Sequence, residues 1–531
     1  MKSATGLVAS GFLALGLPGS LAAQCDRLKL IPGDGGDGQE FSWSVAVDGA
    51  TVLVGAFGRS ADTIAGGGYF FERIGGAWME TAKLVSPGTG FDGFGQAVAL
   101  DQDRALFGAR YDDTRGTDAG AAFLFARVGG SWTLEAPLTA LDGSADDEFG
   151  QTVALSGDTA LLGAAYDDED GAFAGSAYVF QRVDGVWTQV LKLKADDAKT
   201  GDVFGASVAV DGDLLAVAAP GDDTFGSNTG AVYVFRREQG SWIKETKITP
   251  GNLSEHAGFG HAISLSGEIL LVGAYGNDEQ AQDAGAAFVY RRSGTSWTEE
   301  AKLLATEPGQ NHILGFSVAI DGDLAIAGAF GDRHGGTLSQ AGSAHVFRRQ
   351  AGQWSHVARL IDTTPESQEY FGFSVAAGGE HVLVGSPDDH ELGFARGGAT
   401  LVSMAAAEGT LYGSGWPGSS GVPTILNLTP PVLGGNLIVQ VGNSAGPPTT
   451  GFLLLGFSAG SVPTFLGGTL LLVPSSVFIL LIPPAGLDLQ GMIPDDPRLC
   501  GVDVFLQALE SDAGASHGFS FTQGLQLHLG D

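Results

Sequence analysis

Cysteine is nearly absent: Cys25 and Cys500 are the only two in 531 residues. A disulfide-knit scaffold and a thiolate metal cluster are therefore excluded. Basic charge is scarce as well, with 27 Lys and Arg against 60 Asp and Glu, a net charge of −33. Such a surface repels nucleic acid and anionic lipid, and suits cations, basic partners or a salty exterior. Long apolar runs are missing too. The most apolar stretch, which starts at Thr464, is cut by Pro474, Pro483 and Pro484. Its pieces fall well short of the roughly 18 apolar residues of a spanning helix, so no membrane-spanning segment is expected. No H-E-x-x-H pairs any of the ten histidines, and His256, His261 and His312 read as loop or strand-start residues. G-x-S-x-G occurs at Gly442–Gly446, Gly456–Gly460 and Gly514–Gly518. A nucleophile elbow needs a strand-to-helix turn, and these lie in a Gly-rich β segment of a chain with 84 glycines. G-x-G-x-x-G at Gly33–Gly38 and Gly88–Gly93 has no βαβ unit around it, which rules out dinucleotide binding. No catalytic group emerges.

The first 23 residues read as a secretory signal. Lys2 supplies the positive end, an apolar run begins at Leu7, and small residues surround Ala22 and Ala23. Pro18 breaks the run and argues against a membrane anchor. Gln24 stands where a lipoprotein signal wants a small residue ahead of Cys25. The expected location is secreted or cell-surface.

What is present in abundance is repetition. VAVDGDLLAVAAPGDD at 208–223 returns almost unchanged as VAIDGDLAIAGAFGD at 318–332. Aligned on the leading Phe-Gly or its substitute, copies start at Phe41, Phe94, Phe149, Phe204, Phe259, Leu314 and Phe371. Trp78, Trp132, Trp187, Trp242, Trp297 and Trp354 keep the same step. Each unit parses into four short strands, FGASVAV, LLAVAA, AVYVFRR and WIKETKI in the fourth copy, with an Asp-Gly hairpin between the first two. Apolar residues on both faces of AVYVF suit a small sheet sandwiched between neighbours. Seven such sheets repeated radially make a seven-bladed β-propeller. The seventh unit lacks a Trp and a fourth strand, and Arg27-Leu28-Lys29-Leu30-Ile31 supplies that strand from the other end of the chain. An exchange of this kind closes a ring; a solenoid has no need of it. The propeller is expected over residues 24–406.

The units resemble FG-GAP repeats, the blades of the integrin α-subunit propeller and of many exported bacterial proteins. Phe204-Gly205 and Gly273-Ala274-Tyr275, with their equivalents, carry the likeness. The resemblance implies extracellular binding or adhesion more often than catalysis. It also implies calcium in the hairpin between strands one and two, on a D-x-D-x-D-G-x-x-D loop. Here that hairpin is only Asp211-Gly212-Asp213 or Asp321-Gly322-Asp323, too short to wrap a cation that wants six to eight oxygens. A second acidic cluster follows strand two: Asp112-Asp113, Asp167-Asp168-Glu169-Asp170, Asp222-Asp223, Asn277-Asp278 and Asp388-Asp389. An Asp-capped, solvated turn is the plain reading. Asp167, Asp168 and Asp170 form the best calcium candidate; no other cofactor or metal is expected. Strand parity puts the long acidic loops on one face and a recurrent Arg (Arg73, Arg127, Arg182, Arg237, Arg292, Arg349) on the other, where each is expected to snorkel.

Residues 407–531 differ in character. From Gly409 to Leu487 there is no charged side chain, and strand-like runs NLIVQV, FLLLGF, TLLLV and VFILLI alternate with turns. A small β-sandwich-like domain is expected, for surface retention or for packing against the propeller. Cys25 should start the closing strand beside the exit to the domain carrying Cys500, which makes a Cys25–Cys500 disulfide and two free thiols the alternatives. The functional expectation is a monomeric, non-enzymatic binding or adhesion protein whose acidic loop face holds a protein or glycan. The alternatives are a secreted carbohydrate-active hydrolase or lyase with funnel carboxylates, and a structural surface spacer.

Overall fold

The computed structural model describes residues 27–529 apart from 35–38, 59–65, 76, 89–90, 252, 335–337, 391–395, 405–407, 413, 418, 430, 432–434, 465–468, 494–502 and 518. The leader and both cysteines, and with them the choice between a Cys25–Cys500 disulfide and two free thiols, lie outside the described residues. Among those described there is no helix long and apolar enough to cross a membrane.

Seven four-stranded antiparallel sheets follow one another along the chain. In blade four the strands are Ser207–Asp211, Leu214–Ala219, Ala231–Glu238 and Ser241–Ile248, each paired with the next. All six residues of Leu214–Ala219 are buried, because both faces of the sheet are covered. Ala216, Val232 and Val234 of blade four share one core with Phe259, Leu270 and Val272 of blade five. The outermost strand, Ser241–Ile248, is half exposed and carries the polar residues. In blades one to six the outer hairpin takes a register shift at one point, between Val234 and Phe235 in blade four. Such bulges add the twist that a radial sheet needs.

The repeated phrase marks where neighbouring blades touch. Phe204 is fully buried, and its N–H donates to Ala174 O of the preceding blade at 2.9 Å. Gly205, at φ 95°, lies backbone to backbone on Gly163 of strand two in blade three; a Cβ on Gly163 would collide with Gly205 O. Gly108 with Gly150, Gly273 with Gly315, and Gly328 with Gly372 repeat this contact. Leu314 fills the Phe position and is equally buried.

The ring closes between the two ends of the repeat array. Arg27–Leu30 pairs antiparallel with Gly398–Ser403, Arg27 facing Val402 and Leu30 facing Ala399. Blade seven is thus built from both termini of the propeller. At this seam Ser42 replaces the glycine, at φ 73°. Its hydroxyl donates to Gly398 O at 2.6 Å and accepts from Ser386 N–H at 2.9 Å.

Beyond Glu408 the strands make a six-stranded, a three-stranded and a two-stranded sheet. Ile425, Val439 and Val441 of the three-stranded sheet share a core with Leu453, Leu506 and Leu525 of the six-stranded one. Gly442–Gly446, Gly456–Gly460 and the described part of the third motif, Gly514–His517, fall on strand ends and turns of these sheets.

Gly163→Ala should destabilise the propeller by about 1–3 kcal/mol, because the methyl meets Gly205 O and the turn must shift to clear it, as it does around Ala218 at the same position of blade four. Gly212→Asn, at φ 55° with open space around it, should melt close to the parent. Chemical denaturation of both variants checks the pair; equal curves would dissolve the contact's claimed importance.

Candidate functional site

The hairpin acids turn a corner and also link blades. Asp211 Oδ2 accepts the N–H of Gly267, in the next blade's hairpin, at 2.6 Å. Asp48 does the same to Gln102, Asp321 to Gly379, and Asp101 to Gly157. Ser156 and Ser266 take the role through a hydroxyl, accepting from Gly212 and Gly322.

The acids after strand two are buried rather than solvated. Asp167 is 4 % exposed. One carboxylate oxygen accepts the Glu169 N–H at 3.0 Å; the other meets Lys192 Nζ at 2.7 Å and the hydroxyls of Ser176 and Tyr178 at 2.8 and 3.1 Å. Burial alone would raise its pKa, but Lys192, the amide and Ser176 outweigh it and hold the carboxyl below its ordinary range. Asp168 is exposed, and Asp170 pairs with Lys194 at 2.7 Å. Of the three calcium candidates, Asp167 is thus held inside on Lys192 and Asp170 outside on Lys194. Among the described residues no group of three metal-ligating side chains converges.

A cation from the outer strand recurs at the same register. Lys247 meets Asp222 at 2.7 Å, Arg359 meets Asp332 at 2.7 Å, and Lys29 of the closing strand meets Asp389 at 2.6 Å. In blade two Pro137 holds this position and offers no charge. A further buried acid lies two residues before the Phe: Asp147, Asp202 and Glu369. Burial pushes Asp147 and Asp202 up to about 6 and Glu369 up to about 8, with Asp362 and Asp389 adding to the last. These acids order loops, as Asp147 accepting Ser144 N–H and Asp202 accepting Lys199 N–H both do.

The Arg-bearing face is likewise spent largely on structure. For four of the six arginines the expected snorkelling gives way to pairing with the preceding blade: Arg127 meets Glu72 at 2.9 Å, Arg292 meets Glu245 at 2.7 Å, Arg182 meets Glu135 at 2.6 Å, and Arg349 meets Glu300 at 2.5 Å. Trp297 and Trp354 Nε1 donate to Glu245 and Glu300. The Glu three residues after Trp was the available signal for this.

The exposed chemistry lies instead at the funnel mouth. The residue after each Phe-Gly closes a tight turn, its N–H donating three residues back; Phe373 to Tyr370 O at 2.9 Å and His261 to Gly258 O at 2.9 Å are two of seven. The turn's first residue has positive φ in every blade, even at Val203 and Ile313 (50° and 55°). For β-branched residues this is strain of about 1–3 kcal/mol. The turns set seven side chains around the axis: Trp43, Gln96, Gln151, Ala206, His261, Phe316 and Phe373. Neighbours in this ring touch, with centroids 4.5 Å apart for His261–Phe316, 5.3 Å for Phe316–Phe373 and 4.8 Å for Phe373–Trp43. Phe57, Tyr275 and Phe330, one residue past strand two, form an outer tier against Trp43, His261 and Phe316. All these rings are half-buried. Burial drives His261 down to about 4, so it is neutral. Blades five, six, seven and one thus present an aromatic arc; blades two to four present Gln96, Gln151 and Ala206. This segregation went unread in the sequence, though the residue after Phe-Gly spells it out blade by blade.

The family match agrees with this architecture. A family model described as FG-GAP repeat matches residues 26–71, 78–125, 132–180, 187–235, 242–290, 297–347 and 354–401. No curated protein matches by sequence. Among solved structures, an acylaminoacyl peptidase in complex with Z-Gly-Gly-Phe-chloromethyl ketone aligns at 9 % identity and TM-score 0.40, over 81 % of this chain and 62 % of its own. The β-propeller domain of the Trilobed protease from Pyrococcus furiosus aligns at 10 % identity and TM-score 0.35, over 65 % and 90 %. The Pyrococcus horikoshii acylaminoacyl peptidase gives 10 % and 0.36, over 81 % and 61 %. This chain spans only 62 % and 61 % of the two peptidases.

Two outcomes follow from the acids. A folded-state pKa raised above the unfolded value contributes stability that is present below the unfolded pKa and lost as pH rises through the folded one. The melting temperature should therefore fall from about pH 4 to about pH 8, and Glu369→Gln should flatten the upper half of that fall. An unchanged slope in the variant counts against a protonated Glu369. Separately, a chelator should leave the melting temperature nearly unchanged, since the buried acids are held by lysines and amides; a large drop restored by calcium would reverse that assignment.

Proposed function

Because this chain belongs to the FG-GAP repeat family, we propose that it is an exported, non-enzymatic binding or adhesion protein that holds a protein or glycan at the funnel mouth of its acidic loop face. The observation that carries the reading is the arc of half-buried rings at Trp43, Phe316, Phe373 and their outer tier. Aromatic rings clustered around the axis and left partly accessible suit a binding site better than a spacer. Export rests on the N-terminal 23 residues and suits an acidic surface.

A hydrolase or lyase would need two carboxylates of different proton affinity at an open site. The pairs that come nearest, Asp147 with Asp167 and Asp202 with Asp222, differ in this way. All four are nearly fully buried, accept loop amides and lysines, and recur from blade to blade, which favours loop ordering over chemistry.

Glycan and protein arrays probed with the full chain test the proposal. Binding should appear and be lost in the Trp43→Leu/Phe373→Leu double variant. Binding that survives the double variant would place the recognition surface elsewhere, and substrate turnover on the array would favour the enzyme.

A further inference from the structure

The arginine of blade one is an exception on its face. Between blades four and five, Arg292 grips Glu245 through Nε and Nη2 at 2.8 and 2.7 Å. Trp297 Nε1 donates to the same carboxylate at 2.8 Å. Arg349, Glu300 and Trp354 repeat the trio one joint on. Each of these Glu is the extra residue of a β-bulge, and a bulge re-aims its side chain, here at the next blade. At the seam the closing strand has no such residue. Lys29 meets Asp389 as Lys247 meets Asp222, so Arg27, two residues earlier, stands at the Glu245 position. Arg27 keeps register against Val402 without a bulge, and its Nη1 turns to Ile361 O instead.

Arg73 and Trp78 nevertheless face each other across their hairpin as Arg292 and Trp297 do. Arg73 is exposed, and among the described residues its guanidinium has no acceptor. Trp297 and Trp354 donate to Glu, while Trp132, Trp187 and Trp242 bury their indole N–H unpaired. The Trp78 N–H is neither paired nor buried. Its ring lines an open cleft of about 340 Å³ together with Leu28, Arg73 and His381.

The acids around this cleft are mostly engaged elsewhere. Arg292 has a second acid in its own hairpin, Glu268 at 3.6 Å, and Ala50 takes that place beside Arg73. Asp48 of the same hairpin holds Gln102 N–H, Glu72 holds Arg127, and Asp362 lies by Arg27 and Lys29. Glu380 adjoins His381, but its counterpart Asp213 adjoins a joint that holds Glu245 all the same. Burial and Arg73 push the His381 pKa down, so that ring adds no negative charge and no competing cation. Charge farther off is screened beyond about 8 Å at physiological salt, so the net −33 does not decide this site. The joint keeps the donor set for a carboxylate and has no residue to supply one.

We propose that the cleft at the seam binds a carboxylate on a short aliphatic stem, held by Arg73 and the Trp78 indole N–H as Glu245 is held by Arg292 and Trp297. Leu28 offers the stem an apolar wall. Two charge-assisted or N–H donors on one planar acceptor fix its orientation, which a lone surface arginine does not.

The test uses the full chain with isotope-labelled tryptophan, in which Trp78→Phe identifies the Trp78 indole signal by NMR. Glutarate and N-acetylglutamate α-amide should shift that signal to saturation, and N-acetylglutamine amide should leave it in place. A shift by N-acetyl-leucine adds chain termini to the ligands; silence restricts them to acidic side chains and small acids. Arg73→Gln should weaken binding about tenfold or more. Arg237→Gln, at the joint where Val190 is the bulged residue, should leave it unchanged. His381 should titrate at higher pH once the anion is beside it. No shift with any carboxylate, or a shift that survives Arg73→Gln, overturns the assignment. Sulfate bound as tightly as glutarate overturns the carboxylate class. Binding seen only in Asp26→Asn overturns an external ligand and gives the position to the chain's own acid. Each of these outcomes leaves the funnel-mouth reading standing, because that site is on the opposite face.

Discussion

Everything in this propeller hangs on how closely neighbouring backbones approach at the Phe-Gly turn. Gly163 and Gly205 meet with no room for a Cβ between them, and Phe204 plugs the space beside them without exposure. That distance helps fix the angle from one blade to the next, and glycine meets glycine in this way at five of the seven joints. Blade four puts Ala218 at the Gly163 position, against Gly260, and the seam has an arrangement of its own. There Ser42 takes the place of the Phe-Gly glycine, still close against Gly385, and adds three hydrogen bonds, to Gly398, Ser386 and Ser374. The closing strand then adds Lys29 against Asp389 and Arg27 donating to Ile361 O at 2.6 Å.

A chain with this much negative charge must spend its few cations well. Lys192, Lys247 and Arg359 each serve a buried Asp after strand two, and Lys192 also reaches Asp142 and Glu169 at 2.8 Å. An ammonium on a strand is cheaper to keep than a free ion: it comes with the fold and loses no translational freedom on binding. Four arginines of the opposite face are equally committed, to Glu72, Glu135, Glu245 and Glu300. Both sets stitch blade to blade or loop to strand, which leaves the uncommitted surface at the mouth and at the seam. Strain gathers there too, at Val203 and Ile313, where identical turns across seven blades hold conformations that no single turn would keep.

The sequence by itself determined the seven-bladed ring, its four strands per blade, and the strand from Arg27 that completes blade seven. These follow from periodicity, from Asp-Gly turns and from a missing segment at one end matched at the other, and all are properties of the chain read in order. It also showed that Asp211-Gly212-Asp213 is too short to wrap calcium. It could not say that Asp211 bonds Gly267, because that contact spans a blade and sequence spacing carries no azimuth. Nor could it say that Asp167 is buried on Lys192: whether an Asp caps a solvated turn or an interior cation depends on which residue of the outer strand faces it, and a bulge at Val179 and Phe180 sets that register. The pairing of Arg292 with Glu245 was hidden for the same reason. Only the closed ring brought Trp43 of the first blade against Phe373 of the last, joined four blades into one aromatic arc and set Gln96 and Gln151 on the other side, since residues some 330 positions apart become neighbours when the two ends of the array meet.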